Sequence, residues 1–320
     1  MTSNTNKTRQ WNEILFIGVL VLACVAVLVR NIESSNPPAA KGPLAQETFQ
    51  TPAEAGHALA GAAKTGNQAA LAKILGAEAR ALLTTGESET DKEATDAFAS
   101  KYQQMNRWVD MTDGTLVLYI GADNFAFPVP LAKNSSGQWY FDAAAGAQEV
   151  RARDIGRNEL LAIDACAALA NAQDAYFDTG DTRSYAQRVV STTGKHDGLY
   201  WPSSDTQTSS PLGHLSRFPK SSLASVPADE PLVIDGYALR ILTAQGDHAP
   251  GGAMSYIVNG RMTGGFAILA TPVKYGETGI MTFMTGRDGI VYERDLGSDT
   301  VKLATAITAF NPDDNWAPVE

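Results

Sequence analysis

The sequence is poor in the residues that most often announce chemistry. Only two cysteines, Cys24 and Cys166, occur in 320 residues, which excludes a disulfide-rich scaffold and a four-cysteine zinc site. The four histidines, at positions 57, 196, 214 and 248, show no short ligand spacing between any two. Basic residues are outnumbered, 25 against 35 acidic, for a net charge of -10, and a general nucleic-acid binder carries the opposite balance. A Gly-x-Ser-x-Gly elbow, a His-Glu-x-x-His helix, a P-loop and the dinucleotide fingerprint are all missing, so serine hydrolase, zincin and nucleotide-binding readings have no motif behind them. With 44% hydrophobic and 19% charged residues, the composition fits neither wholesale disorder nor a polytopic membrane protein. The length suits one large or two ordinary domains, at about 100–200 residues each.

One long apolar run is present. Residues Ile14–Val29 are uncharged and apolar throughout, and a helix of that length rises about 24 Å against a hydrocarbon core of about 30 Å. Trp11 on one side and Arg30 with Ile32 on the other extend it by interfacial anchoring. A single membrane anchor is the favoured reading. A cleaved signal peptide is an alternative that lacks a clean small-x-small site, and lipid attachment at Cys24 is another, set against the apolar continuation Val25–Val29. Lys7 and Arg9 balance Arg30 and Lys41, so orientation rests on architecture: a short leader, one apolar segment, then the whole body. We expect residues 1–33 to be leader and anchor and 34–48 a Pro/Ala/Ser linker. The body is then exported, on a single pass through a bacterial inner membrane, into the periplasm or otherwise outside the cytoplasm.

The body reads as α+β in two regions, 49–147 and 148–320. Thr51-Pro52-Ala53-Glu54 supplies a capping hydroxyl, a proline at the first helical position and a glutamate three residues after the cap. A short helix capped by Asn67 follows, then an acidic stretch at Glu87–Asp96 whose carboxylates suit a helix start. Phe98, Tyr102 and Met105 continue a helical stripe, and Thr115–Ile120, Phe125–Leu131 and Gln138–Phe141 read as strands, with Pro128 and Pro130 pushing the middle one to an edge. Helices followed by a curled antiparallel sheet resemble the cone of nuclear-transport-factor-like domains, a likeness of fold that implies no chemistry. The second region opens with a helix near Asn158–Tyr176, where Cys166 reads as a buried inert thiol. Short helical turns are expected around Tyr185–Val190. Strands follow at Tyr237–Thr243, Ser255–Val258, Gly265–Pro272, Ile280–Thr285 and Ile290–Asp295, with a tight turn at Arg287-Asp288-Gly289 and a final short helix within 298–310.

The strings GKHDGLYWP (194–202), RILTAQGDHAPGGAMSYIVNGRMTGGFAILATPVKYG (240–276) and TGIMTFMTGRDGIVYERDLG (278–297), with the earlier DNFAFPVPL and IGRNELLAI segments, resemble the bacterial family of domain of unknown function 2950. The resemblance spans roughly Phe49 to Val319. It implies an exported protein and no established activity. The helix carrying NAQDAYF, the GLYWP turn and the meander ending in TFMTGRDGIVY are also similar to type IV pilin and pseudopilin heads. In a pilin the hydrophobic stem runs directly into the head helix, whereas here most of the first region separates them.

Among candidate site residues, His196-Asp197 in GKHDGLYW is the most tempting catalytic pair. Neighbouring side chains usually diverge, and the flanking Gly194 and Gly198 suit a shaped turn in which the pair is structural. His214 and His248 would complete a metal site with His196 only by accident of folding, so no metal and no cofactor is expected. The glycines of 249–252 and 259–265 suit left-handed turns and close strand approach. Arg261, a lone arginine in that glycine-rich segment, is a candidate for binding a carboxylate or phosphate, or for a salt bridge to a neighbour such as Asp247. Tyr200 and Trp201, with Trp139 and Tyr140, would make an aromatic binding surface, or core.

These readings point to an uncharacterised, membrane-anchored envelope protein acting as a non-enzymatic scaffold or partner- or ligand-binding module. Its contact surface is expected on Gly194–Pro202 and Ala249–Gly265, with Arg261, Tyr200, Trp201 and His248 as binding residues. The alternatives are an envelope hydrolase using His196, Asp197 and Arg261, and a pilin-related assembly subunit. The expected partner is an envelope protein or a small ligand, not nucleic acid.

Overall fold

The computed structural model describes residues 46–76, 88–179, 183–202, 209–214, 218, 223–224 and 226–319. The expected leader and anchor with Cys24, the linker up to residue 45, and the side chain of His214 lie outside the described residues. Among the described residues, no helix is long and apolar enough to cross a membrane. The protein is mixed helix and antiparallel sheet, in two compact units that divide between Arg153 and Asp154.

The first unit opens with three helices, α1 (Pro52–Lys64), α2 (Gln68–Leu75) and α3 (Ser88–Gln104). A reciprocal capping box starts α1: the Thr51 hydroxyl accepts from the Glu54 amide at 3.2 Å, and the Glu54 carboxylate accepts from the Thr51 amide at 3.2 Å. The Asn67 side chain accepts from the Ala70 amide and caps α2. Folded structure already begins at Gln46, inside the stretch read as linker. Its side-chain amide donates to the carbonyls of Ile74 at 2.9 Å and Phe141 at 2.6 Å, tying the chain entry to a helix end and a strand.

The sheet of this unit comprises β1 (Asn106–Asp110), β2 (Leu116–Ile120), β3 (Phe125–Ala126), β4 (Leu131–Lys133) and β5 (Trp139–Phe141), in the order β1-β2-β4-β5 with β3 paired to β2. In β2 the alternate residues Leu116, Leu118 and Ile120 are buried, as expected of a half-buried strand. The expected strand Phe125–Leu131 is two short pieces instead, because Pro128 and Pro130 remove ladder donors between them. Strand β1 was not foreseen. NRWVD carries too few apolar residues to alternate, yet it pairs with β2 along its whole length.

Helix α4 (Ala143–Thr179) begins well before the expected start near Asn158. Its early turns are alanine-rich and polar, with high helix propensity and no apolar stripe, and the Asp142 carboxylate accepts from the Ala145 amide at 3.0 Å to cap them. Gly146 lets the helix approach the Pro-Val-Pro segment, since a Cβ there would stand 2.8 Å from the Val129 side chain. The Arg/Asp/Glu cluster of these turns resolves into local pairs, Arg153–Glu149 at 2.8 Å and Arg157–Asp154 at 2.9 Å. Glu159 instead accepts from the amides of Ile280 at 2.8 Å and Met281 at 2.9 Å.

In the second unit, Ala162, Ala165, Cys166, Leu169 and Ala172 on α4 are buried in one core with the strands that follow. Burial pushes the Cys166 thiol up to about 12, consistent with an inert packing role. Residues Tyr185–Val190 are extended rather than helical: Tyr185 bridges Met262, and β6 (Arg188–Val190) runs parallel to β7 (Gly198–Tyr200). The backbone of this stretch finds partners at a distance, which local periodicity does not reveal. The buried Gln173 side chain donates to the Ala186 carbonyl and accepts from the Ala186 amide, both at 2.8 Å.

The main sheet is assembled from β8 (Leu232–Ile234), β9 (Tyr237–Leu242), β14 (Ala267–Pro272), β15 (Met281–Gly286), β16 (Val291–Asp295) and β17 (Ala317–Pro318), in the order β17-β16-β15-β14-β9-β8. Between β9 and β14 lie two small hairpins, β10 (Ala244–Gln245) with β11 (Met254–Ser255) and β12 (Ile257–Val258) with β13 (Arg261–Met262). The central strands β14 and β15 are buried almost throughout, with Thr282 and Thr285 of β15 buried among their apolar residues. Helix α5 (Thr300–Ala306) packs on β14, and the half-buried Arg240 guanidinium of β9 donates to the carbonyls of Ala304 and Ile307 at the helix end, where a cation is favoured by the dipole.

Two outcomes follow. Gln173→Leu strands the buried amide and carbonyl of Ala186, and urea denaturation is expected to show a loss of about 2–5 kcal/mol; a loss below about 0.5 kcal/mol would contradict the pairing. Glu293 on β16 is held above the usual carboxylate range by burial and then by the Glu159 carboxylate. A raised carboxyl is favoured protonated, so its stabilisation is present at acidic pH and is lost as pH rises through the raised value. Glu293→Gln is therefore expected to raise the melting temperature at about pH 7 and to leave it unchanged near about pH 3.5; an equal shift at both would contradict this.

Candidate functional site

The GKHDGLYW motif forms the link between β6 and β7. Parallel strands normally need a long crossover, yet here residues 191–197 suffice, and the side chains show how. The Asp197 carboxylate accepts from the Thr192 amide at 2.8 Å and the Thr192 hydroxyl at 2.9 Å. The Ser191 hydroxyl accepts from the Gly198 amide, and the Ser191 amide donates to the Tyr200 carbonyl. Gly194 adopts φ +76°, and at Gly198 a Cβ would lie 2.6 Å from the Ser191 nitrogen and 2.7 Å from the Val190 carbonyl carbon. Both glycines are thus set by backbone geometry.

Asp197 is occupied by this turn. The Arg188 guanidinium donates to the Thr192 hydroxyl at 2.8 Å and lies 3.9 Å from Asp197 and 3.3 Å from Asp229. Burial works against the charged Asp197, but the two bonds from Thr192 and the Arg188 charge outweigh it and hold the carboxyl below its usual range. His196 turns away to a different neighbour. It is exposed, and its ring stacks on Trp201 with centroids 4.4 Å apart and planes at 18°; its carbonyl accepts from the Tyr176 hydroxyl at 2.7 Å. No hydrogen bond or ion pair joins His196 to Asp197 among the described residues.

Tyr200 and Trp201 are 5% and 7% exposed. Trp201 meets Tyr176 edge-on as well as His196, so the pair contributes to packing while His196 presents the outer aromatic face. In the first unit Tyr140 is buried, and half-buried Trp139 carries Lys133 over its ring at 4.6 Å.

Arg261 is exposed in β13. Its hairpin turns through Asn259 at φ +52° and Gly260 at φ +77°, a primed turn for which Asn-Gly is the favoured pair. Arg261 makes no ion pair among the described residues. Its hairpin is nevertheless tied to the β6–β7 element: the Tyr185 amide donates to the Met262 carbonyl at 2.8 Å, and the Gln187 side chain donates to the Gly260 carbonyl at 3.1 Å. The stretch 185–190 therefore pairs at one end with the 259–262 hairpin and at the other with 198–200, joining the two segments expected to make a surface. His248 sits apart from this set. Its amide donates to the Asn311 side chain at 2.8 Å, and its imidazole acts on Asp313. Among the described residues no three His, Cys, Asp or Glu side chains gather closely enough to hold a metal ion.

A second feature escaped sequence reasoning. The first unit holds a cavity of about 210 Å³ between α1, α2, α3 and the Phe125–Pro128 segment. Leu59, Leu71, Leu75, Phe98 and Phe127 line it. Each belongs to an apolar stripe that reads simply as core, and periodicity says which face is buried, not whether facing stripes meet.

The model of the family described as protein of unknown function (DUF2950) matches residues 46–319. No curated protein and no solved structure matches the chain. With the match covering both units and every segment described above, the chain belongs to the DUF2950 family.

Proposed function

We propose that the protein is a non-enzymatic binding module, held at a bacterial inner membrane by residues 14–29 with its body outside the cytoplasm, and that its second unit contacts an envelope protein partner. The observation that carries the reading is the commitment of Asp197 to the Thr192 turn. It leaves His196 without the carboxylate that a working general base would use for orientation, which weighs against the hydrolase alternative built on His196, Asp197 and Arg261. The contact surface is the region where the 194–202 and 249–265 segments are joined through residues 185–190. It presents the Arg261 charge, which makes no ion pair among the described residues, and exposed Met254 and Val258 at 41% and 49%, a mixture of apolar and cationic groups that suits a protein interface.

The first unit is read as a nuclear-transport-factor-like cone, supported by three helices preceding an antiparallel sheet. The second is read as pilin-head-like, supported by a long helix followed by antiparallel strands. Neither likeness implies an activity.

The test is crosslinking in intact cells, purification through a carboxy-terminal tag, and mass spectrometry of the crosslinked sites. A stoichiometric partner joined through residues 194–202 or 249–265 is expected. Arg261→Ala should cut its recovery about tenfold, and His196→Ala should leave the complex in place. A partner recovered equally well with Arg261→Ala would overturn the surface, and no partner at all would overturn the module.

A further inference from the structure

The first unit offers a site that does not depend on the partner-binding reading. We propose that its cavity binds a small uncharged hydrophobic molecule, either a short alkyl chain or one or two aromatic rings.

Size comes first. The cavity is partly open to solvent, so its apolar walls meet water when nothing fills it. At about 210 Å³ it offers more room than the roughly 150 Å³ apolar void that is known to take up benzene. An alkyl chain of about six to eight carbons or a fused pair of rings is the matching scale.

Lining chemistry then decides the class. No lining residue is charged, and Gln68 and Thr95 alone among them are polar. The Thr95 hydroxyl already donates to the carbonyls of Asp91 and Lys92, which leaves exposed Gln68, in the first turn of α2, to meet one polar end. Two cations near it among the described residues are engaged as well. Lys101 and Arg153 lie 5.3 Å and 5.8 Å from the Phe125 ring at the edge of the cavity, but Lys101 is bound to Asp123 at 2.5 Å and Arg153 to Glu149 at 2.8 Å. A carboxylate or ammonium ligand would lose its hydration without gaining a free partner among the described residues, whereas a neutral one loses little. Phe125 is 42% exposed, so an apolar ligand seated against it would also remove that ring from water.

The experiment is photolabelling of the full chain in detergent with a neutral diazirine-bearing octanol, with adducts mapped by mass spectrometry. Site mapping separates cavity label from label on the apolar amino-terminal segment. Adducts are expected on residues 59–75, 94–98 and 125–128, suppressed by 1-octanol at concentrations about tenfold below those needed with octanoate. Ala72→Trp and Ala94→Trp, which fill the cavity from its rim, should each reduce that label about tenfold without changing the melting temperature. Label that ignores 1-octanol, that survives both substitutions in folded protein, or that octanoate suppresses equally well would overturn the proposal.

Discussion

Every backbone N–H and C=O taken out of water must find a partner, and in the second unit that requirement governs residues 184–200. The stretch is buried at Tyr185, Ala186, Val189 and Val190, lies outside the main sheet and belongs to no helix. Its groups are satisfied one at a time: Tyr185 by Met262, Ala186 by the Gln173 side chain, and Ser191 by Tyr200. The short parallel pairing of β6 and β7 then needs a chain reversal too tight for ordinary residues, which Gly194, Gly198 and Asp197 supply. The most catalytic-looking string in the sequence is a consequence of this backbone problem.

The first unit obeys the same rule differently. Its helix starts are closed by Thr51 with Glu54, Asn67 and Asp142, and its chain entry by Gln46. The helix caps are local and the Gln46 bonds are long-range, and the apolar faces of three helices and the Phe125–Pro128 segment line the space between them. They leave about 210 Å³.

How much of this was legible in the sequence follows from which interactions are local. The capping box at Thr51, the Asn67 cap, the Arg287-Asp288-Gly289 turn and the apolar residues of β14 and β15 are set by residues a few positions apart, and they were readable. The start of α4 was not, because its first turns are stabilised by alanine propensity and the Asp142 cap rather than by an apolar stripe. Strand β8 was missed although Asp235-Gly236 precedes β9, with φ +48° and +76°, a hairpin signal of the same kind as Arg287-Asp288-Gly289. Tyr185–Val190 was read as helical turns because its partners, Gln173 and Met262, lie far away in sequence. At the candidate site, the structural role of Gly194 and Gly198 was legible from the motif. The stacking of His196 on Trp201 and the occupation of Asp197 by Thr192 depend on side-chain directions that adjacency in sequence does not fix.

The Asp197 carboxylate holds the turn at Thr192. Hydrogen exchange at the Thr192 amide tests it most directly, because that amide donates to the Asp197 carboxylate. Asp197→Ala is expected to accelerate exchange at Thr192 by about tenfold or more, and His196→Ala to leave it protected. Unchanged protection at Thr192 in Asp197→Ala would contradict the claim and return His196 and Asp197 to consideration as a catalytic pair.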